Sequence, residues 1–176
     1  MIVVDTIDSP IGPLTVAERG VKVCMLHFGK DGPAIERTLE RWYPGEARAR
    51  RDVAGLREVL TRYFGGEVAA IDTVAVELNG SEFQKRVWQA LRRIPHGSTL
   101  SYAALAKRIG APAAVRAVGA ANGSNPVALV VPCHRVIGSD GTLTGYGGGL
   151  DRKAWLLSHE HARWSDGPRT APTLPW

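Results

Sequence analysis

The chain has 176 residues, 44% of them hydrophobic and 22% charged, with 22 Lys and Arg against 17 Asp and Glu for a net charge of +5. That is ordinary composition for one globular domain, or one small module leaning on a second, and it excludes wholesale disorder. No apolar run reaches the roughly 20 residues that a bilayer span needs, and two cysteines, Cys24 and Cys133, cannot build a disulfide framework. The start, MIVVDTIDSP, has Asp5 and Asp8 in place of a basic leader, so a cytoplasmic protein without a secretory signal is expected.

Residues 2–28 read as β structure. IVVDTI alternates, SPIGP punctuates it, LTVAERG is a second strand closed by Gly20, and VKVCMLHF is a third. From Pro33 the apolar spacing turns helical. AIERTLERWY sets Ile35, Leu39 and Trp42 on one face and stops at Pro44-Gly45. VAGLREVLTRYF does the same with Val53, Leu56, Leu60 and Phe64 before Gly65-Gly66. Residues 1–75 are therefore expected to form a small α/β module without chemistry of its own. Cys24, in an apolar strand, reads as a buried structural thiol, and His27 as a structural histidine.

Residues 76–176 are expected to form a second, mainly helical domain. Ser81 is placed to cap SEFQKRVWQALRR, whose Phe83, Val87, Trp88 and Leu91 share a face. IPHGST is a turn. LSYAALAKRIGAPAAVRAVGAAN then gives two short helices across a Gly-Ala-Pro turn, with Ala103, Ala104, Ala106, Ala113, Ala114 and Ala117 small enough for close packing. This is a helix-turn-helix pattern, although any corner between two helices produces the same spacing.

The charge around that pattern is informative. From Phe83 to Ser139, 57 residues contain no Asp or Glu but eight cations: Lys85, Arg86, Arg92, Arg93, Lys107, Arg108, Arg116 and Arg135. The rest of the chain holds 14 basic and 17 acidic residues. Clustered cations without neighbouring carboxylates suit a polyanion.

NPVALVV reads as a Pro-bounded apolar strand running into Pro-Cys-His-Arg. A loop with six glycines follows (Gly138, Gly141, Gly145, Gly147, Gly148 and Gly149), and then a last helix, DRKAWLLSHE. Glycines allow backbone N–H groups to approach a ligand closely. His134 and Arg135 bring a base and positive charge beside Cys133, whose reactive form is the thiolate. Neighbouring residues on an extended chain face opposite ways, so a water is expected to bridge Cys133 and His134, with Glu160 orienting the imidazole. The residues alone fit a buried small hydrophobe at Cys133 equally well. Two distant cysteines and scattered histidines lack the spacing of a metal site.

VVPCHRVIG, with SYAALA and AVRAVGAANGSNP before it and TGYGGGLDRKAWLLSHE after it, resembles the methylated-DNA–protein-cysteine methyltransferases. These are the O6-alkylguanine-DNA alkyltransferases, here of the bacterial constitutive type. The resemblance is close from Phe83 to Glu160 and loose over residues 1–80, where SPIGPLTVA is similar to the family's N-terminal module. It implies a ribonuclease-H-like α/β module followed by a mainly helical domain with a helix-turn-helix. It also implies DNA repair by irreversible, single-turnover transfer of the alkyl group of O6-alkylguanine, or O4-alkylthymine, from double-stranded DNA to Cys133. No cofactor, metal or membrane is implied, and a monomer is expected. Related alkyltransferase-like proteins carry Trp in place of the reactive cysteine, whereas this chain has Cys133.

The same resemblance implies roles residue by residue. Cys133 attacks while His134, a water and Glu160 take its proton. Tyr102 rotates the adjoining phosphate and donates a proton to guanine N3, and Asn125 is a hinge between recognition helix and active-site loop. Arg116 is the finger that fills the space of the flipped base, with the helix-turn-helix in the minor groove. Ser101, Ala117 and Arg135 complete the DNA-binding set. Val136, Tyr146, Gly147 and Gly148 line the pocket, where the carbonyls of Cys133 and Val136 read the exocyclic amine and a backbone N–H near Gly147 holds O6. Gly147 stands where several relatives carry Ser or Ala, and the zinc-binding cysteines of some eukaryotic members are absent. Two other classes fit parts of the pattern. A helix-turn-helix regulator would need an effector domain, and a cysteine hydrolase using Cys133, His134 and Glu160 would turn over repeatedly.

Overall fold

β1 (Ile2–Ile7), β2 (Leu14–Arg19) and β3 (Lys22–Phe28) form an antiparallel meander. Their alternating sequences give each strand a face to bury. Gly20, at φ 65°, opens the two-residue link between β2 and β3, a conformation that a side chain would strain. The computed structural model describes residues 1–165.

α1 (Pro33–Trp42) starts on a proline whose fixed φ suits the first helical turn. It returns the chain so that β4 (Arg48–Arg50) joins β1 in parallel, giving the order β3-β2-β1-β4. Ile35, Leu39 and Tyr43 close over Ile2, Val4, Ala17, Cys24 and Met25. Each large aliphatic side chain removed from water contributes about 1.5–3 kcal/mol, which is what holds this module without a disulfide. β4 reads Arg-Ala-Arg and has no apolar period; ion pairs fasten its cations, Arg48 to Glu40 at 2.7 Å and Arg50 to Asp31 at 2.8 Å. In α2 (Ala54–Phe64), Tyr63 takes the buried place expected of Phe64, which is half-buried. His27 is exposed on β3, so the structural role expected of it is not a buried one.

The chain divides into two units. Among the described residues, the first takes Met1–Gly80 and also Pro126–Val130, and the second takes Ser81–Asn125 and residues 131–165. The strand expected over NPVALVV shrinks to a single bridge, Leu26 to Val127, with Leu26 N–H donating to the Pro126 carbonyl at 3.0 Å. The chain then turns at Leu129, whose φ is 70°. A left-handed leucine costs about 1–2 kcal/mol, which burial of the same side chain offsets.

In the second unit, α3 (Glu82–Leu91) carries a reciprocal cap: Gln84 N–H donates to Ser81 Oγ at 3.2 Å, and Ser81 N–H to Gln84 Oε1 at 2.9 Å. α4 (Tyr102–Arg108) and α5 (Val115–Gly123) flank a turn with Gly110 at φ 74°. Trp88, wholly buried, donates Nε1–H to the Ala121 carbonyl at 2.8 Å and so fixes α3 against α5. Two short parallel strands, β5 (Leu100–Ser101) and β6 (Val136–Ile137), join the start of α4 to the segment after Cys133. α6 (Leu150–His159) packs Leu157 against Ile137, Ala162, Leu143 and Trp164. No described helix is long and apolar enough to cross a membrane.

Candidate active site and nucleic-acid interface

Cys133–Arg135 form one 3₁₀ turn, not the extended chain expected there, so alternation of neighbouring side chains does not apply. Asn125, just beyond α5, donates through Nδ2 to the Val131 carbonyl at 2.8 Å and to Cys133 Sγ at 3.1 Å. One amide thus holds both the start of the loop and its sulfur. Cys133 is 6% exposed. Burial pushes its thiol up, while the Asn125 hydrogen bond, then the Lys153 charge, then backbone N–H groups act to bring it down. Cys24 contrasts with it: burial pushes that thiol up to about 12, and its Sγ–H lies 3.4 Å from the Ala17 carbonyl.

His134, Arg135 and Glu160 form a closed, buried set. Glu160 Oε1 stands 3.0 Å from His134 Nε2 and accepts from Arg135 Nη2 at 2.9 Å, and Oε2 accepts from Arg135 Nε at 2.8 Å. Burial works to raise the Glu160 carboxyl, but His134 and Arg135 together hold it well below the usual carboxylate range. Burial lowers His134, against the pull of Glu160, so the imidazole is neutral at pH 7. An ionised carboxylate only accepts, so Nε2 carries the imidazole proton. Nδ1, buried and without a hydrogen-bond partner, keeps its lone pair.

Arg135 is therefore not a phosphate contact, contrary to the expectation from sequence. It is 1% exposed, and Nη1 is spent on the Ile94 carbonyl at 2.6 Å. Lys85 is also partly used, beside Glu82 at 3.3 Å. Arg93, Lys107, Arg108 and Arg116 are exposed and form no ion pair among the described residues. Arg116 and Ala117 are exposed on α5, Tyr102 is the first residue of α4, and Ser101 caps that helix by accepting from Ala104 N–H at 3.1 Å. Burial raises the Tyr102 phenol, which keeps it protonated at neutral pH.

The expected pocket residues follow Cys133. Val136 is buried in β6. The Tyr146 phenol is pushed well up by burial, with Cys133 among its neighbours. A Cβ at Gly147 would meet nothing within 4 Å, so the wall there is open, and the Gly148 carbonyl accepts from Arg152 at 2.9 Å. Sequence reading missed Lys153. Its Nζ donates to the Val136 carbonyl at 2.6 Å and to the Thr144 carbonyl at 2.8 Å. The signal was helical spacing: Lys153 lies three and four residues before Leu156 and Leu157, on the buried face of α6. Among the described residues, no group of three or more His, Cys, Asp or Glu is placed to hold a metal.

Comparison with known proteins gives one answer for both units. The ribonuclease-like domain of 6-O-methylguanine DNA methyltransferase matches residues 2–78, and the DNA-binding domain of the same family matches residues 82–162. A methylated-DNA–protein-cysteine methyltransferase of Mycolicibacterium paratuberculosis is 52% identical over 91% of this chain and 93% of its own. One of Salmonella typhimurium is 46% identical over 89% and 94%. Among solved structures, Mycobacterium tuberculosis O6-methylguanine methyltransferase superposes with TM-score 0.77 at 45% identity, over 94% of this chain and 96% of that one. The same organism's OGT in complex with DNA gives 0.77 at 44%, over 90% and 92%. The chain belongs to the methylated-DNA–protein-cysteine methyltransferase family.

Proposed function

We propose that this protein repairs O6-alkylguanine, and O4-alkylthymine, in double-stranded DNA by moving the alkyl group onto Cys133, once per molecule. The observation that carries this reading is the sulfur held by the Asn125 amide at 3.1 Å next to a neutral, carboxylate-anchored imidazole. The thiol proton passes through a bridging water to His134 Nδ1, and Glu160 stabilises the imidazolium so formed. The thiolate attacks the alkyl carbon in line. The C–S bond forms as the bond to O6 breaks, and the electron pair moves into guanine, where the Tyr102 phenol supplies a proton at N3. The phenolate then regains a proton from solvent, and the imidazolium returns one to solvent. The thioether has no good leaving group, so the protein is consumed. No cofactor takes part, because the alkyl group is all that moves.

A thiol 6% exposed cannot reach a stacked base, so the lesion is flipped out of the duplex. Arg116 enters the vacated space from the minor groove, and Ser101, Tyr102 and Ala117 line the same face. Exposed cations such as Lys107 and Arg108 meet phosphates without reading sequence. Val136, Tyr146, Gly147 and Gly148 receive the base. The protein works as a monomer in the cytoplasm.

The test is transfer from a duplex carrying one isotopically labelled O6-methylguanine. The label on protein should plateau at one equivalent per active molecule and stay bound. Continued release of methanol beyond one equivalent would point to a cysteine hydrolase and contradict the reading.

A further inference from the structure

Lysine is almost never fully buried without a partner anion. Lys153 is 0% exposed and forms no ion pair among the described residues. Its ammonium is instead satisfied by the carbonyls of Val136 and Thr144, at 2.6 and 2.8 Å, and by the faces of two tyrosines, 6.0 Å from the ring centroid of Tyr102 and 5.9 Å from that of Tyr146. Val136 follows the Cys-His-Arg turn and Thr144 lies well into the glycine-rich loop, so one side chain spans the segment between them.

Burying an ammonium is costly, and an apolar side chain would fill the same space without that cost. What the charge faces gives the reason for keeping it. The Tyr102 and Tyr146 rings flank it, its carbonyl partner Val136 lies three residues after Cys133, and its charge acts on Cys133 and on His134. The group that hydrogen-bonds the sulfur, the Asn125 amide, is neutral, while Glu160 and Arg135 are paired with each other. Burial brings the Lys153 ammonium down to about 8, and the Cys133 charge works to raise it, so it holds its proton at neutral pH.

We propose that Lys153 is a positioning residue of the transfer reaction: its ammonium ties Val136 to Thr144 across the pocket loop and is the counter-charge that Cys133 meets on losing its proton. This rests on the alkyl-transfer reading, but its first test needs no DNA. Iodoacetamide labelling of full-length protein across pH, with peptide mass spectrometry at Cys133, reads the thiolate titration. Single-turnover transfer from free O6-benzylguanine reads the reaction.

Lys153→Met should move the Cys133 midpoint up by about one unit and slow transfer about tenfold at pH 7, the deficit closing as pH rises. Lys153→Arg keeps the charge and should keep the midpoint. A folded Lys153→Met protein with an unmoved midpoint, or one slowed equally at every pH, overturns the proposal. If Lys153→Met does not fold, Lys153→Gln gives the same reading. If neither neutral variant folds, Lys153→Arg decides: a midpoint displaced despite the retained charge overturns the proposal, and an unmoved one supports it. A wild type that labels at Cys133 yet takes no alkyl group contradicts the proposed function instead, so the two failures are distinguishable.

Discussion

Glu160 Oε1 lies 3.0 Å from His134 Nε2, with both side chains shut away from solvent. Because the same carboxylate also binds Arg135, it fixes the imidazole tautomer and neutralises a buried guanidinium at once. Glu160→Gln therefore leaves Arg135 charged and unmatched, a loss of about 3–5 kcal/mol for a buried pair. Urea unfolding at pH 7.5 should register that loss, and transfer should slow as well. A variant as stable as the wild type would remove Glu160 from this role.

The same set predicts acid sensitivity. His134 sits below its ordinary 6.5 and Glu160 below 4.5, so over each window the unfolded chain binds more protons than the folded one. Stability from both groups is complete above about 6.5. It begins to fall as His134 in the unfolded chain gains its proton, and falls further below about 4.5. The melting temperature should drop from pH 7 to 4. A flat profile over that range would contradict the buried arrangement.

Asn125→Ala removes the donor 3.1 Å from Cys133 Sγ. A hydrogen bond to a charged group contributes about 1.5–3 kcal/mol, so labelling of Cys133 at pH 7 should slow roughly ten- to a hundredfold. Unchanged labelling would mean that Asn125 serves only the Val131 carbonyl.

Arg116 is exposed on a helix of small residues, a form that suits insertion into a stack. Extruding a paired base costs a few kcal/mol, part of which an inserted side chain offsets. Arg116→Ala should slow single-turnover transfer from duplex DNA more than about tenfold at saturating protein and leave free O6-benzylguanine nearly untouched. Full recovery of the duplex rate at saturation would make Arg116 a phosphate contact. Equal slowing on both substrates would place it in the pocket.

What could be read from sequence was what is local. The meander β1–β3, the cap formed by Ser81 and Gln84, and the pair of helices around Gly110 each lie within one stretch of chain. β4 was illegible because Arg-Ala-Arg carries no apolar period, and pairing with β1 decides it. NPVALVV looked like a strand because it is apolar, yet its side chains serve burial and its backbone makes one bridge. Arg135 looked like part of a cationic face because its neutralising carboxylate, Glu160, comes 25 residues later. Lys153 went unread for the converse reason: a lysine in a helix looks solvated until the two carbonyls that hold it are located in space.

Whether Cys133 accepts the alkyl group is decided by peptide mass spectrometry after incubation with a duplex containing O6-methylguanine. One methyl group should appear on the Cys133 peptide, none on the Cys24 peptide, and none in Cys133→Ser, which should still bind the duplex. A methyl group on Cys24, or a mass gain that persists in Cys133→Ser, would contradict transfer to Cys133.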